Sequence, residues 1–384
     1  MRSETPMLRT TQEKASAKPQ PAALILALTG IALLFAGVVQ ANHAAPRAML
    51  YVALGVALGI TLLAADFGFA GGFKRALARD FTGLRAHLFT FAIAMVLIVP
   101  MVAAGSLFGI RIEGFARHVG IAFLLGGALF GIGMQLAGGC ASGTLYQLGG
   151  GGSKYLGTLA GFIAGSVFAA SHIEIWWALP SLPSVTLFTL GSWPLTLAIE
   201  LALMALLFRL VGGAMPSRKV LAGGAMLALL NAATVLVAGS PWSETWAFTL
   251  WGTRIAAALG AHPETWRFFR DVPFDVSALV DRTSIMDLAI PLGAMLAAAL
   301  LGRFRIERAA PRVWLAATLG GLLMGYGARL SGGCNIGSYF STIASGDLSG
   351  WAWAIAALGG SYLGLRLRPR IEATAPSGEM RSLR

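Results

Sequence analysis

Ten apolar runs divide the chain, at about 22 to 40, 48 to 65, 88 to 108, 119 to 137, 155 to 172, 194 to 212, 220 to 238, 285 to 302, 313 to 331 and 350 to 367. Each is long enough to cross a hydrocarbon core of about 30 Å, which takes roughly 20 helical residues. Four shorter segments, 66 to 77, 138 to 149, 241 to 255 and 332 to 346, are too short or too glycine-rich to span and too apolar for plain loops. They predict re-entrant helices, because irregular backbone at membrane depth is tolerated only when buried in protein or lining a cavity. The pattern predicts an all-α integral membrane protein with about ten transmembrane helices.

Composition supports this: 56% of the 384 residues are hydrophobic and 12% charged, with a mean hydropathy of +0.72, whereas soluble domains carry about 25% charged residues. The net charge of +12 does not predict nucleic-acid binding, since Lys and Arg sit in short clusters between apolar runs rather than along one basic face. They predict orientation. With the N terminus inside, the cytoplasmic segments hold Lys74, Arg75, Arg79 and Arg85, then Arg209, Arg218 and Lys219, then Arg303, Arg305, Arg308 and Arg312, then Arg366, Arg368 and Arg370. This is the positive-inside pattern, and it places both termini in the cytoplasm of a cell bounded by an inner membrane. The polar stretch 1–21 reads as a cytoplasmic tail, and the run 22–40, lacking a small-residue cleavage site, as a retained first span.

The chain also matches itself at an offset of 194 residues. GGALFGIGMQLAGGCASG, residues 126–143, and GGLLMGYGARLSGGCNIG, residues 320–337, agree at ten of eighteen positions, including a Gly-Gly-Cys at the end of a span in both copies. Duplication accounts for this. The first transport repeat would cover 48–172 and the second 220–367, joined by a connecting helix 194–212, with 22–40 as an extra helix and 368–384 as a cytoplasmic tail. Four spans per repeat and one connecting span turn the second half over, predicting the inverted-repeat architecture of many secondary transporters.

Candidate chemistry concentrates at the two motifs. Cys140 and Cys334 each precede a helix-capable segment, 141–149 and 335–343, whose N terminus would present free N–H groups and a positive dipole end to an anion. Gly138, Gly139, Gly332 and Gly333 leave that backbone bare, and Ser142, Thr144, Asn335 and Ser338 offer neutral donors. A thiol is soft and polarizable, suited to a ligand that itself exposes sulfur. A single such motif usually marks a packing site with Cys as a small hydrophobe, but packing alone would accept Ala or Ser in one copy. Arg329 stands where the first half has Gln135, and is either an anion attractor or a side chain snorkelling to the interface. Glu200 and Asp287, in or at the edge of spans, are candidate proton carriers. Trp242, Trp246, Trp251 and Trp266 read as an interfacial belt.

At LAGGCASG, LSGGCNIG and GSPWSETWAFTLWG, residues 239–252, the chain resembles the YeeE/YedE sulfur-transport family of bacterial inner-membrane proteins, over about residues 48 to 367. The resemblance implies inverted halves, short re-entrant helices and a role for Cys140 and Cys334 in contacting a thiosulfate-like ion along a pore. Members placed as thiosulfate permeases use a further cysteine in the first half, which this chain does not have. The expected function is a permease for thiosulfate or a related small sulfur-containing anion, with no cofactor, no metal and no catalysis, and with a cytosolic sulfur-carrier protein as a candidate partner. The alternative is a membrane-bound sulfurtransferase or thiol redox protein working through a cysteine persulfide, which needs a cation beside the thiol. Only Arg329 is placed to supply one.

Overall fold

A computed structural model describes residues 18–43, 45–189 and 191–373. Its helices are α1 Pro21–Ala41, α2 Pro46–Ala65, α3 Phe69–Leu77, α4 Thr82–Ala104, α5 Ile121–Ala137, α6 Ala141–Gly149, α7 Lys154–Ser171, α8 Ile173–Trp177, α9 Trp193–Leu210, α10 Arg218–Ala238, α11 Thr245–Ala258, α12 Arg282–Leu300, α13 Pro311–Leu330, α14 Ser341–Ala344 and α15 Ser349–Ala373. A π-helical turn, Asn335–Phe340, runs directly into α14. Strands among the described residues are confined to two ribbons of two-residue strands.

Local chemistry sets the boundaries. Proline opens α1, α2, α9 and α13, where its missing N–H costs nothing. Asp281 caps α12 by accepting from Ser284 N at 2.7 Å. Gly138, at φ 76°, ends α5 in the left-handed conformation that glycine tolerates best. Every predicted span is helical, and every predicted short segment contains a short helix. Helix α15 continues past the boundary drawn at residue 367 to Ala373, with Pro369 inside it. The 1–21 tail, except its last residues, and positions 374–384 lie outside the described residues.

Seven helical segments among the described residues are long and apolar enough to cross a membrane. Helices α7, α13 and α15 fall short of that apolarity because glycines, alanines and, in α13 and α15, arginines take the place of leucines. These are also helices that pack against others at backbone distance. A Cβ at Gly325 would lie 2.0 Å from Phe162 O, one at Gly161 2.1 Å from Thr318 O, and one at Gly360 1.9 Å from Ala128 O. In lipid such contact replaces the missing hydrophobic drive between helices. Helices α1 and α9 instead turn Ile25, Leu26, Leu33, Leu195, Leu203 and Leu210 outward, the apolar surface that a bilayer solvates. The chain is thus a multi-pass helical membrane protein.

The most extensive packing pairs α7 with α13, α5 with α15, α2 with α12, and α5 with α13. Gly126 meets Gly327 O and Gly133 meets Gly320 O, so α5 and α13 run antiparallel. One hydrogen bond is made twice: Ser166 Oγ donates to Gly325 O, and Ser361 Oγ to Gly131 O, both pairs related by the spacing of the internal match.

Candidate functional site

Two cavities lie at opposite ends of the bundle. Phe123, near the start of α5, lines a cavity of about 680 Å³; Gly138, just past the end of α5, lines one of about 190 Å³. At a rise of 1.5 Å per residue the helix between them separates the two by about 25 Å. The larger cavity draws on the loops before α5, α8 and α12, the ends that the arginine pattern assigns to the outside; the smaller draws on the α2–α3 and α5–α6 connections, assigned to the cytoplasm.

In the smaller, inner cavity Cys140 lies on the wall with Gly138, Gly139, Gly143 and Tyr146. It is the residue before α6, 1% exposed and free, with Sγ 3.3 Å from Ser142 Oγ. A Cβ at Gly143 would sit 3.5 Å from that sulfur, so the glycine keeps its flank open. Thr144 does not offer a donor, since its hydroxyl caps Cys140 O at 2.8 Å. Asp66, at the cavity edge, is bridged to Lys219 and, at 3.6 Å, to Arg303, tying α2 to the inner ends of α10 and α12.

The outer cavity carries three guanidiniums, Arg117, Arg282 and Arg329, with Asp281 as its lining carboxylate. Among the described residues none of the three is ion-paired. Arg282 donates to Ala238 O and Ser240 Oγ. Arg329 donates to Thr245 Oγ1 at 2.6 Å and lies over the Phe268 ring, while its Nε and that of Arg117 are buried without partners. Arg329 therefore does not snorkel to lipid: it is 8% exposed and faces the cavity. Its counterpart Gln135 makes the equivalent tether, donating to Ala70 O of α3 at 3.2 Å.

Ser331 and Gly332 form part of the outer cavity wall, and Cys334 lies two residues behind them, fully buried and free. Its Sγ accepts from Ile336 N at 3.3 Å and faces Glu244 Oε2 at 3.7 Å. Gly333 has no room for a Cβ, which would fall 2.7 Å from Ser338 Oγ. Ser338 spends its hydroxyl on Ser331 O at 2.7 Å and is not a free donor. Asn335 is buried with both amide atoms unpartnered. The helix expected over 335–343 is a π turn followed by a short α-helix, because Cys334 Sγ takes a first-turn N–H. Both cysteines belong to one buried core, which also holds Phe69, Phe91, Tyr339 and Phe340.

Sequence reasoning missed Arg117 and Glu244. Arg117 lies in a stretch between spans with no periodic signal, yet Gly332 packs against its side chain, where a Cβ would meet Arg117 Cδ at 3.0 Å. Glu244 stood in full view beside three tryptophans read as a belt. That belt does not form as expected: Trp242 is 1% exposed and bonded through its backbone to Asn231 and Ser341, and Trp246 lines the outer cavity. Glu200 faces an apolar groove beside α9, away from both cysteines. Among the described residues no group of three or more His, Cys, Asp or Glu could hold a metal ion.

A helical membrane protein with paired cavities and a cysteine motif behind each defines a class, and the sequence comparison gives the family. The profile of the Sulphur transport family matches residues 64–363, and the chain belongs to that family. The resemblance read at the two motifs is borne out. The chain is 35% identical over 133 residues to "Probable transporter YedE" of Escherichia coli (strain K12), covering 34% of this chain and 33% of that protein, so this match spans about a third of the relative's length. It is 28% identical over 326 residues to "Thiosulfate transporter TsuA" of Spirochaeta thermophila, covering 79% of this chain and 93% of that one. To "Thiosulfate transporter TsuA" of Escherichia coli (strain K12) it is 24% identical over 322 residues, covering 77% and 88%.

Proposed function

We propose that the chain is an inner-membrane permease for thiosulfate or a related small sulfur-containing anion, which moves from the outer cavity past Cys334 and then Cys140 to the inner cavity. The observation that carries this reading is the placement of one Gly-Gly-Cys motif at each of two cavities at opposite ends of the bundle. Family membership and the names of the relatives support the substrate class. The antiparallel course of α5 and α13, together with the twice-made serine bond, supports an inverted repeat within ten spans. Both termini face the cytoplasm in this arrangement, where a sulfur-carrier protein would take the anion from the inner cavity.

In this reading Arg329 and its neighbours Arg117 and Arg282 collect the anion. An unpaired guanidinium in a partly desolvated cleft attracts a dianion far more strongly than one in open water. Gly332, Gly333 and Asn335 then offer backbone and amide donors beside the Cys334 thiol, and Ser142 with Gly138 and Gly139 does so beside Cys140. A sulfurtransferase is the poorer fit: a thiolate nucleophile needs a cationic neighbour against it, whereas Cys334 Sγ lies against the Glu244 carboxyl and the Arg329 guanidinium is bonded to Thr245.

Uptake of radiolabelled thiosulfate into proteoliposomes separates the two. The permease reading expects label free in the lumen, saturating with concentration. Label covalently held by the protein with none in the lumen would mean the enzyme.

A further inference from the structure

Outer-cavity walls end at Ser243 and Thr245, and between these two residues the Glu244 side chain turns inward, completely buried. Its Oε2 faces Cys334 and its Oε1 has no partner. Across from it, Asp287 lies one turn beyond Thr283, another wall residue, and neither of its carboxyl oxygens has a partner either. The two carboxyls lie within range of each other's charge when ionised, as does that of Asp281.

The charged and titratable groups around this pair come from every neighbouring element. They are Cys334 from the π turn, Asp281 from the cap of α12, Cys140 from the cap of α6, and Arg329 of α13, whose guanidinium is bonded to Thr245 next to Glu244 without an ion pair to it. Among the described residues neither acid has an ion pair. Two buried carboxylates without an ion pair are too costly to hold ionised together in this closed arrangement, so protons must join them here, and both can ionise only when the site opens to water. The described residues provide no further His, Cys, Asp or Glu cluster to coordinate a metal ion there. A proton needs only the oxygens already present.

We propose that Glu244 and Asp287 form the proton-loading site of this carrier, taking two protons from the outer cavity for each dianion that passes Cys334. The inference rests on the permease reading and supplies what that reading lacks. A dianion entering a negative-inside cell is opposed by the membrane potential on both its charges, and two accompanying protons make the step electroneutral. The only bonds made and broken are O–H bonds: each carboxylate oxygen takes a proton from outer water, and inner water receives it once the anion has reached the Cys140 cavity.

The test uses the full chain in proteoliposomes, with valinomycin and equal potassium holding the potential at zero and the outside one pH unit more acidic. Two protons per anion predict thiosulfate accumulation of about 100-fold at equilibrium, a factor of about 10 for each proton. Lumenal pyranine should report acidification on thiosulfate addition. Asp287→Asn or Glu244→Gln, each removing one proton site, should lower accumulation to about 10-fold by the same arithmetic. Thiosulfate exchange in the same vesicles reports whether each variant is folded; if neither is, the wild-type stoichiometry decides. Three outcomes overturn the proposal: wild-type uptake that only equalises concentrations under the pH gradient, accumulation that requires sodium in place of the pH gradient, or folded variants that keep the wild-type ratio. If the wild type takes up no thiosulfate under any gradient, the permease reading itself fails.

Discussion

Cys334→Ala and Cys140→Ala should each slow thiosulfate uptake by about 5- to 150-fold, the effect of losing an interaction of roughly 1 to 3 kcal/mol at a buried site. Each thiol is fully or almost fully buried beside bare glycine backbone, and Cys334 Sγ also accepts from Ile336 N, a cap that alanine loses and serine keeps. Serine should restore part of the rate, since it keeps a donor but loses polarizability. On the proposed path the thiols stand at successive barriers, so the double variant is limited by its slower step and should fall little below the worse single variant. Initial rates of labelled uptake, normalised to reconstituted protein, give all four values. Single variants indistinguishable from wild type would make the cysteines packing residues.

Replacing Arg329 by Gln should raise the thiosulfate concentration for half-maximal uptake by about 10- to 150-fold, because a hydrogen bond to a charged group contributes about 1.5 to 3 kcal/mol. Glutamine is what the first half carries at the matching position, Gln135, and it keeps an amide donor of similar polarity while the charge is lost. Maximal rate should change less than half-saturation, because the guanidinium acts before the anion reaches Cys334. An unchanged half-saturation would assign Arg329 to packing over Phe268.

How much of this was legible beforehand follows from the range of the interactions. Spans such as 22–40 and 220–238 announce themselves through composition and length, and α1 and α10 follow them closely. Gly-Gly-Cys was readable at both ends because the chain carries its own comparison. The missing parts depend on residues brought together from far along the sequence. Arg117 reaches the site because Phe115 N donates to Ser345 Oγ and Gly114 packs on the same serine, contacts with no local signal. Asp66 looked like the end of an apolar run, and only folding brings it between Lys219 and Arg303. Trp242 was misplaced at the interface since its buried position depends on Asn231 and Ser341 accepting and donating to its backbone. Thr144 and Ser338 looked like ligand donors because their spacing from the cysteines is right, but nearer carbonyls claim their hydroxyls.

Side-specific thiol modification tests the central path most directly. In inside-out and right-side-out vesicles, Cys140→Ser protein, retaining Cys334, should react with a small membrane-impermeant thiosulfonate only from the outer face. Cys334→Ser protein, retaining Cys140, should react only from the inner face, and thiosulfate should slow both reactions. Reaction of both sulfurs from one face, or labelling that thiosulfate leaves untouched while uptake continues, would contradict a conduit that passes one cysteine and then the other.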